Sequence, residues 1–330
     1  MEYKALVVDE VAGTFQSTLK VVDSEEFLPA GEVMIRVHYS SLNYKDALSA
    51  TGNKGVTRKY PHTPGIDAAG VVVESSNDNF KTGEEVIVTG FDLGMNTPGG
   101  MGQLIRVPAS WVVRVPEGLS LKESMIIGTA GFTAAISVQR LIEKVKPSAG
   151  PVLVSGATGG VGSMAVAMLS KLGYTVHAIS GKESELAFLT SLGADEVLPR
   201  SEFQIVSPKP LLPGRFAGAI DTVGGEILVN MIKSVQQDGV VTTCGSVSSI
   251  TLNLNVFPFI LRAVSLIGIS AQNYPAHLRP ELWSLLAGSF KPVALSSMIT
   301  EINLDEVGTA VDHILKGKLK GRTVINLLDQ

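Results

Sequence analysis

The chain has one cysteine, Cys244, in 330 residues, so it forms no intrachain disulfide and no cysteine-rich zinc site. A lone thiol suits a reducing compartment, and a cytoplasmic location is expected. Charge is sparse as well: charged residues make up 18% of the chain, the formal net charge is −4, and no basic stripe is present. That balance argues against nucleic acid as a partner. The opening stretch "MEYKALVVDE" lacks a basic segment followed by an apolar core, so no signal peptide is expected. The longest apolar run, "SMIIGTAGFTAAISV" (124–138), is shorter than the roughly 20 residues that span a bilayer. A buried helical segment is expected there, and no membrane partner. The five histidines (38, 62, 177, 277, 313) have no ligand spacing, and a G-x-S-x-G elbow is missing, so a hydrolase reading has no nucleophile.

What is present is a hydrophobic fraction of 45%, enough for a packed core. Its patterning changes along the chain. Up to about Pro116, short β-type runs such as "EVMIRVHYS", "GVVVES" and "EEVIVTG" are separated by turn-rich stretches, which predicts a partly closed β-barrel. After about Leu121, strands alternate with helices, which predicts βαβ units around a mainly parallel sheet. The tail "ITEINLDEVGTAVDHILKGKLKGRTVINL" carries one helix and a final strand, fitting either the parallel sheet or a return to the first domain.

"VSGATGGVGSM" follows an apolar strand and precedes a good helix, with Gly156, Gly159 and Gly162 three apart. This is a variant of the dinucleotide fingerprint. Gly156 allows the tight turn, Gly159 and Gly160 let backbone approach a pyrophosphate, and Gly162 lets the helix pack on the strand. Thr158 and Val161 share that turn. The next strand ends Ser180-Gly181-Lys182 with no acid at its tip, and Arg200 follows the third strand. A hydroxyl and cations suit a 2′-phosphate, whereas an acid repels it, so NADPH is the expected cofactor. The plainer alternative is that Lys182 and Arg200 are solvated surface charges.

A second polar cluster, "NYKD" (43–46), interrupts apolar sequence after the strand "VMIRVHYSSL". Asn43 and Asp46 are expected either to cap a helix starting near Ala47 or to face a substrate. Lys45 is expected to face solvent. Cys244 lacks a paired base and is expected to be a buried thiol.

Together, "SLNYKDALSATG", "PGIDAAG", "MIIGTAGFTAA", "GATGGVGS", "DTVGG" and "PFILRAVSLIGIS" resemble the medium-chain dehydrogenase/reductase superfamily, and within it the zinc-independent quinone oxidoreductase and acrylyl-CoA reductase branch. The resemblance covers nearly the whole chain. It implies an α/β protein with a GroES-like β-barrel catalytic domain (1–123 and 297–330), a Rossmann-fold NADP(H)-binding domain (124–296), and a homodimer. Zinc-dependent members carry metal ligands at the positions of Asn43, Ile66 and Ala130. Two of these side chains cannot bind a metal and an amide is a poor ligand, so no metal is expected.

Without a Lewis acid, simple alcohol oxidation lacks its main stabiliser, and a double bond conjugated to a carbonyl is the easier hydride acceptor. Acrylyl-CoA or a similar enoyl thioester is the leading substrate, with a quinone next; a non-catalytic NADPH-binding protein is the alternative of another class. Asn43 and Tyr44 are the expected donors to the reacting carbonyl, with Tyr44 also packing on the nicotinamide and Asp46 holding the turn. By resemblance, Asp67 orients Arg322, whose family counterpart approaches the cofactor phosphates; a purely structural ion pair between the two is the plainer alternative. Thr129, Ser246 and Ile260 border the nicotinamide by the same resemblance, and Thr133 is a weaker candidate. Lys54, Arg58 and Lys59 form either a docking patch for CoA phosphates or a solvated loop.

Overall fold

A computed structural model describes residues 1–328 of the chain. The strands, in chain order, are β1 (Glu2–Val11), β2 (Thr14–Asp23), β3 (Val33–Leu42), β4 (Asp67–Ser75), β5 (Glu85–Thr89), β6 (Leu104–Val107), β7 (Val112–Arg114), β8 (Val152–Val154), β9 (Val176–Ser180), β10 (Glu196–Pro199), β11 (Phe216–Asp221), β12 (Val235–Thr243), β13 (Ser265–Gly268), β14 (Ile299–Asn303) and β15 (Arg322–Asn326). Two compact units result. The first comprises Met1–Thr129, Gln272–Ala287 and Leu295–Gln330; the second comprises Ala130–Ala271 and Gly288–Ala294. Against the division expected at 123/124 and 296/297, residues 124–129, 272–287 and 295–296 pack with the first unit.

The first unit is built on a seven-stranded sheet ordered β14-β15-β3-β4-β5-β7, with β6 also paired to β3, beside the β1–β2 hairpin. This is the GroES-like half. The C-terminal segment returns to it: β15 runs antiparallel to β3 and places Thr323 opposite Leu42. Leu304, Val307 and Ile325 from the same segment join the core with Val33, Ile35 and Val37. β3 reads as an alternating, half-buried strand, yet Val33, Met34 and Ile35 are all buried, as are Ser40, Ser41 and Leu42. Both ends of this central strand are covered on both faces while Arg36 in its middle is exposed, so the buried Ser40 and Ser41 must find partners inside.

The second unit is a six-stranded sheet ordered β10-β9-β8-β11-β12-β13, and every pairing in it is parallel. Strand order reverses between β8 and β11, where open α/β sheets of this Rossmann type bind ligands. The apolar run around 124–138 lies in a 22-residue helix, Leu121–Ile142, longer than its sequence suggests and long enough to cross a bilayer. Most of its apolar stretch is packed inside the protein. At Gly128 the backbone leaves helical geometry (φ 50°, ψ −161°).

Candidate active site

Two groups of residues carry the chemistry, one in each unit. In the first unit, β3 stops at Leu42 and a short helix, Tyr44–Ala50, begins after Asn43. Asp46 makes that turn possible. Its carboxylate accepts the Asn43 backbone N–H (2.8 Å) and the N–H groups of Ile66 (2.8 Å) and Gly65 (3.2 Å). One side chain thereby closes the helix start and ties it to the segment entering β4.

Beside this turn lies a second buried carboxylate. Asp67 accepts Ser41 Oγ (2.6 Å), Asn43 Nδ2 (2.8 Å) and Thr129 Oγ1 (2.6 Å), together with the Thr129 backbone N–H. Arg322, the first residue of β15, supplies the cation. Its guanidinium donates to Ser41 Oγ (2.8 Å), Asn43 Oδ1 (3.2 Å) and the backbone carbonyls of Ile126 (3.0 Å) and Leu42 (3.4 Å). The direct ion pair with Asp67 is long, 3.9 Å, so Ser41 acts as the bridge, accepting from Arg322 and donating to Asp67. Gly128 makes the space: a Cβ there would stand 2.6–2.8 Å from Asp67 Oδ2, Ser41 Oγ and Arg322 Nη2.

Two carboxylates and one guanidinium share this interior. Burial, then the Asp67 charge, pushes the Asp46 carboxyl up to about 7. Burial also lowers the Arg322 pKa from its ordinary value.

Several expectations change here. Asn43 does not present its amide to a substrate. Its N–H groups serve Asp67, the Ser41 carbonyl (3.3 Å) and Asp46 (3.3 Å), while its oxygen accepts from Arg322. Arg322 does not reach cofactor phosphates, because it is 3% exposed and its donors are spent on this network. Asp46 and Asp67 are fully buried and position the turn from behind. Lys45 is half-buried and donates to Gln272 Oε1 at 2.6 Å, so it does not simply face solvent. Tyr44 is 41% exposed. Thr129 is half-buried and its hydroxyl is donated to Asp67, whereas Thr133 is buried in the helix. Of the basic loop, Lys54 pairs with Glu10 (2.6 Å) and lies over the Phe15 and Tyr60 rings. Arg58 and Lys59 line an open pocket of about 520 Å³ with Asp92 and Asn96.

In the second unit, Gly156 follows β8 with φ +56°, a conformation that favours glycine, and a Cβ at Gly162 would collide with the Gly156 carbonyl. Helix Gly160–Lys171 starts directly after this turn, with Thr158, Gly159, Gly160 and Val161 half-exposed around its N-terminus. At the end of β9, Ser180 Oγ accepts the Lys182 N–H (3.1 Å). Pairing of β9 with β10 sets Ser180 beside Pro199, which brings Arg200 across. Its guanidinium lies so close to Gly181 that a Cβ there would meet it at 2.7–2.8 Å. Ser246 is exposed after β12, and Ile260 is 66% exposed on helix Phe257–Arg262. These glycine-lined surfaces fit a phosphorylated dinucleotide.

One residue of this half has no role in the sequence-based reading. Asp221, buried at the end of β11, accepts Ser155 Oγ (2.8 Å), Thr243 Oγ1 (2.9 Å) and the Gly224 N–H (3.0 Å). It locks three strand ends around the glycine turn. Its signal is an acid closing the apolar run "FAGAID" before Gly-Gly. The Cys244 thiol beside it is pushed up to about 12 by burial and by the Asp221 charge, and stays protonated.

A catalytic zinc does not fit the donors present. Asn43 is saturated by Asp67 and Arg322, while Ile66 and Ala130 are buried hydrocarbon. Among the described residues no group of three His, Cys, Asp or Glu side chains is placed to hold a metal.

Comparison with known proteins agrees with this architecture. Residues 29–117 match the alcohol dehydrogenase GroES-like domain, and residues 160–288 match the zinc-binding dehydrogenase family model. The chain is 42% identical to the probable acrylyl-CoA reductase AcuI of Escherichia coli, over 98% of this chain and 99% of that one. It is likewise 42% identical to the yhdH oxidoreductase of Salmonella enterica, solved in complex with NADP, with a TM-score of 0.95 over 98% and 99% of the two chains. The Bacillus subtilis protein yhfP, a putative quinone oxidoreductase solved with NAD bound, is 40% identical with a TM-score of 0.96 over 99% and 100%. The chain belongs to the medium-chain dehydrogenase/reductase superfamily, in the zinc-independent branch of acrylyl-CoA reductases and quinone oxidoreductases.

Proposed function

We propose that the protein is an NADPH-dependent oxidoreductase that reduces a carbon–carbon double bond conjugated to a carbonyl, with acrylyl-CoA or a similar enoyl thioester as substrate. The observation that carries this reading is the turn 43–46. Where zinc-dependent relatives hold a metal, this chain has an amide saturated by Asp67 and Arg322 and, next to it, the exposed phenol of Tyr44. Such a site lacks the Lewis acid that alkoxide formation needs, but it offers orientation and hydrogen bonding to a developing enolate. The full-length likeness to an acrylyl-CoA reductase supports the thioester. Likeness to the yhfP protein supports a quinone as the second acceptor.

In this reading the catalytic domain expected at 1–123 and 297–330 is the first unit, which also takes in residues 272–287, and the cofactor domain expected at 124–296 is the second unit. Reduced nicotinamide, when bound, supplies the hydride. Gly156 makes the tight turn, Thr158, Gly159, Gly160 and Val161 hold the pyrophosphate, and Ser180, Gly181, Lys182 and Arg200 hold the 2′-phosphate. Tyr44, Thr129, Ser246 and Ile260 border the nicotinamide. Asp46 and Asp67, with Asn43 and Arg322, fix the backbone from which Tyr44 projects.

NADPH oxidation is measured with acrylyl-CoA, an alkenal and a quinone side by side. Turnover of acrylyl-CoA above the others is the expected result, and binding of NADPH without turnover of any acceptor would favour a non-catalytic role. Arg200→Ala should raise the KM for NADPH about 10- to 100-fold, the worth of one charge-assisted hydrogen bond, and leave NADH nearly unaffected. Equal use of both coenzymes by the wild type would sink the 2′-phosphate assignment.

A second copy of the chain completes the assembly in this reading. Opposite β10, β13 is one of the two edges of its sheet. Exposed apolar residues cluster in the sequence before it: Ile250 at 90%, Val256 at 60%, Ile260 at 66% and Leu261 at 58% exposure. Light scattering should give twice the chain mass, and Leu261→Glu should shift it toward the monomer. The enzyme works in the cytoplasm, where a reduced nicotinamide pool and a lone free thiol are both sustained.

A further inference from the structure

Lys45 is the second residue of the helix Tyr44–Ala50, where the positive end of the helix dipole disfavours a cation. It is half-buried, and burial lowers its pKa from the ordinary lysine value, against the opposing pull of Asp46. Its partner is a neutral amide: Nζ donates to Gln272 Oε1 at 2.6 Å. Its other two N–H bonds have no partner among the described residues.

Gln272 is held with unusual care for a residue that receives one lysine. Its backbone carbonyl accepts the Phe91 N–H (3.2 Å) and Arg279 Nη2 (3.2 Å). Arg279 is 1% exposed and also donates to the Thr89 carbonyl (2.8 Å) at the end of β5. Its guanidinium lies 4.1 Å from the centre of the Phe91 ring, which stacks on Trp111 at 5.2 Å and 1°. Phe91 itself adopts φ +53°, uncommon for a non-glycine residue. The Phe91 N–H and a buried cation thus anchor the Gln272 backbone, and its side-chain amide extends from that anchored backbone to the Lys45 ammonium.

We propose that Lys45 is a catalytic residue whose ammonium donates a hydrogen bond to the carbonyl oxygen of the substrate, and that Gln272 is its positioning residue. The inference rests on the reduction proposed above. Hydride arrives at the β-carbon, the C=C electron pair shifts toward the α-carbon, and the carbonyl pair moves onto oxygen. Lys45 stays protonated and balances that charge. The α-carbon then takes a proton from water as the oxygen's pair returns to the C=O bond, so each turnover consumes one hydride and one proton. Other charged or titratable groups on the surrounding elements are Tyr44 and Asp46 on the same helix, Tyr274 and Arg279 on the facing segment, and Asp92 after Phe91.

The test is the pH profile of kcat for NADPH-dependent reduction of acrylyl-CoA by the full-length protein. Because the ammonium is the working form, activity falls as pH rises through the Lys45 pKa, which lies below the ordinary lysine value. Gln272→Glu, close to isosteric, sets a carboxylate against Nζ and should move this alkaline limb to higher pH. Lys45→Met should lower kcat about 100-fold with NADPH binding retained, the loss typical of one donor to a developing oxyanion. Lys45→Arg should recover part of the rate and remove the limb, since guanidinium does not titrate there. An alkaline limb that stays in place in Gln272→Glu, or a Lys45→Met rate within about threefold of wild type, would overturn the proposal. Failure of the wild type to reduce acrylyl-CoA, the alkenal or the quinone would instead overturn the proposed function, a result read before any variant is compared.

Discussion

Arg322→Met is expected to lower the stability of the protein by about 3–5 kcal/mol at neutral pH, the usual effect of removing one partner from a buried charge pair. Arg322 is 3% exposed and Asp67 is fully buried. Methionine fills much of the same volume, so the loss reports charge and hydrogen bonding more than a cavity. Four acceptors lose their donor together: Ser41 Oγ, Asn43 Oδ1 and the carbonyls of Ile126 and Leu42. Urea unfolding of the purified variant checks it. The deficit should shrink below pH 7, because protonating Asp46 removes part of the charge that Arg322 balances. A deficit of the same size at every pH would show that the guanidinium acts through its hydrogen bonds and packing and not through its charge.

The wild type should itself lose stability as pH rises from about 4 to about 7. The Asp46 carboxyl has a folded pKa of about 7 against an ordinary value of 3.8. A raised folded value means that the native state binds the proton more tightly than the unfolded chain does. Its contribution is therefore fully present below the unfolded pKa and disappears as pH passes the folded one. The difference corresponds to roughly 4 kcal/mol, large beside a typical domain stability of about 5–15 kcal/mol. Unfolding midpoints measured across that window check the slope. Infrared difference spectra should show a carboxylic acid band that vanishes near pH 7 and is missing in Asp46→Asn. A flat stability curve with no such band would mean that Asp46 is ionised throughout, held so by the N–H groups of Asn43, Gly65 and Ile66.

The parts of the site legible in the sequence are those whose partners are near in the chain or fixed by a repeating pattern. The glycine turn after β8 could be read because the motif, the strand before it and the helix after it lie within about twenty residues. Ser180, Gly181 and Arg200 came together as expected because adjacent parallel strands end in register. The GroES-like half was legible from its short strands and turn signals, and in the return of its C-terminal tail the sequence left two options open. Arg322 lies beside Asp67, as one of two expected readings has it, but away from the surface expected to hold cofactor phosphates, because its burial depends on β15 pairing with β3, an event with no local trace. Lys45 was read as solvent-facing because polar residues in a first helical turn usually are. Its acceptor, Gln272, lies 227 residues away, and the clamp behind that acceptor draws on Phe91, Trp111 and Arg279, none of which carries a motif.

Distance along the chain has a further consequence, and it concerns time. Asn43 and Arg322 are separated by 279 residues, so the turn that carries Tyr44 waits for its cation until synthesis has nearly run its course. At translation rates of roughly 5–20 residues per second, that wait is about 15–55 s. Throughout it, Asp46 and Asp67 are drawn toward an interior that cannot yet neutralise them. The contacts that Arg322 makes with Ser41, Leu42 and Asn43 are therefore among the last of the GroES-like half to become available during synthesis.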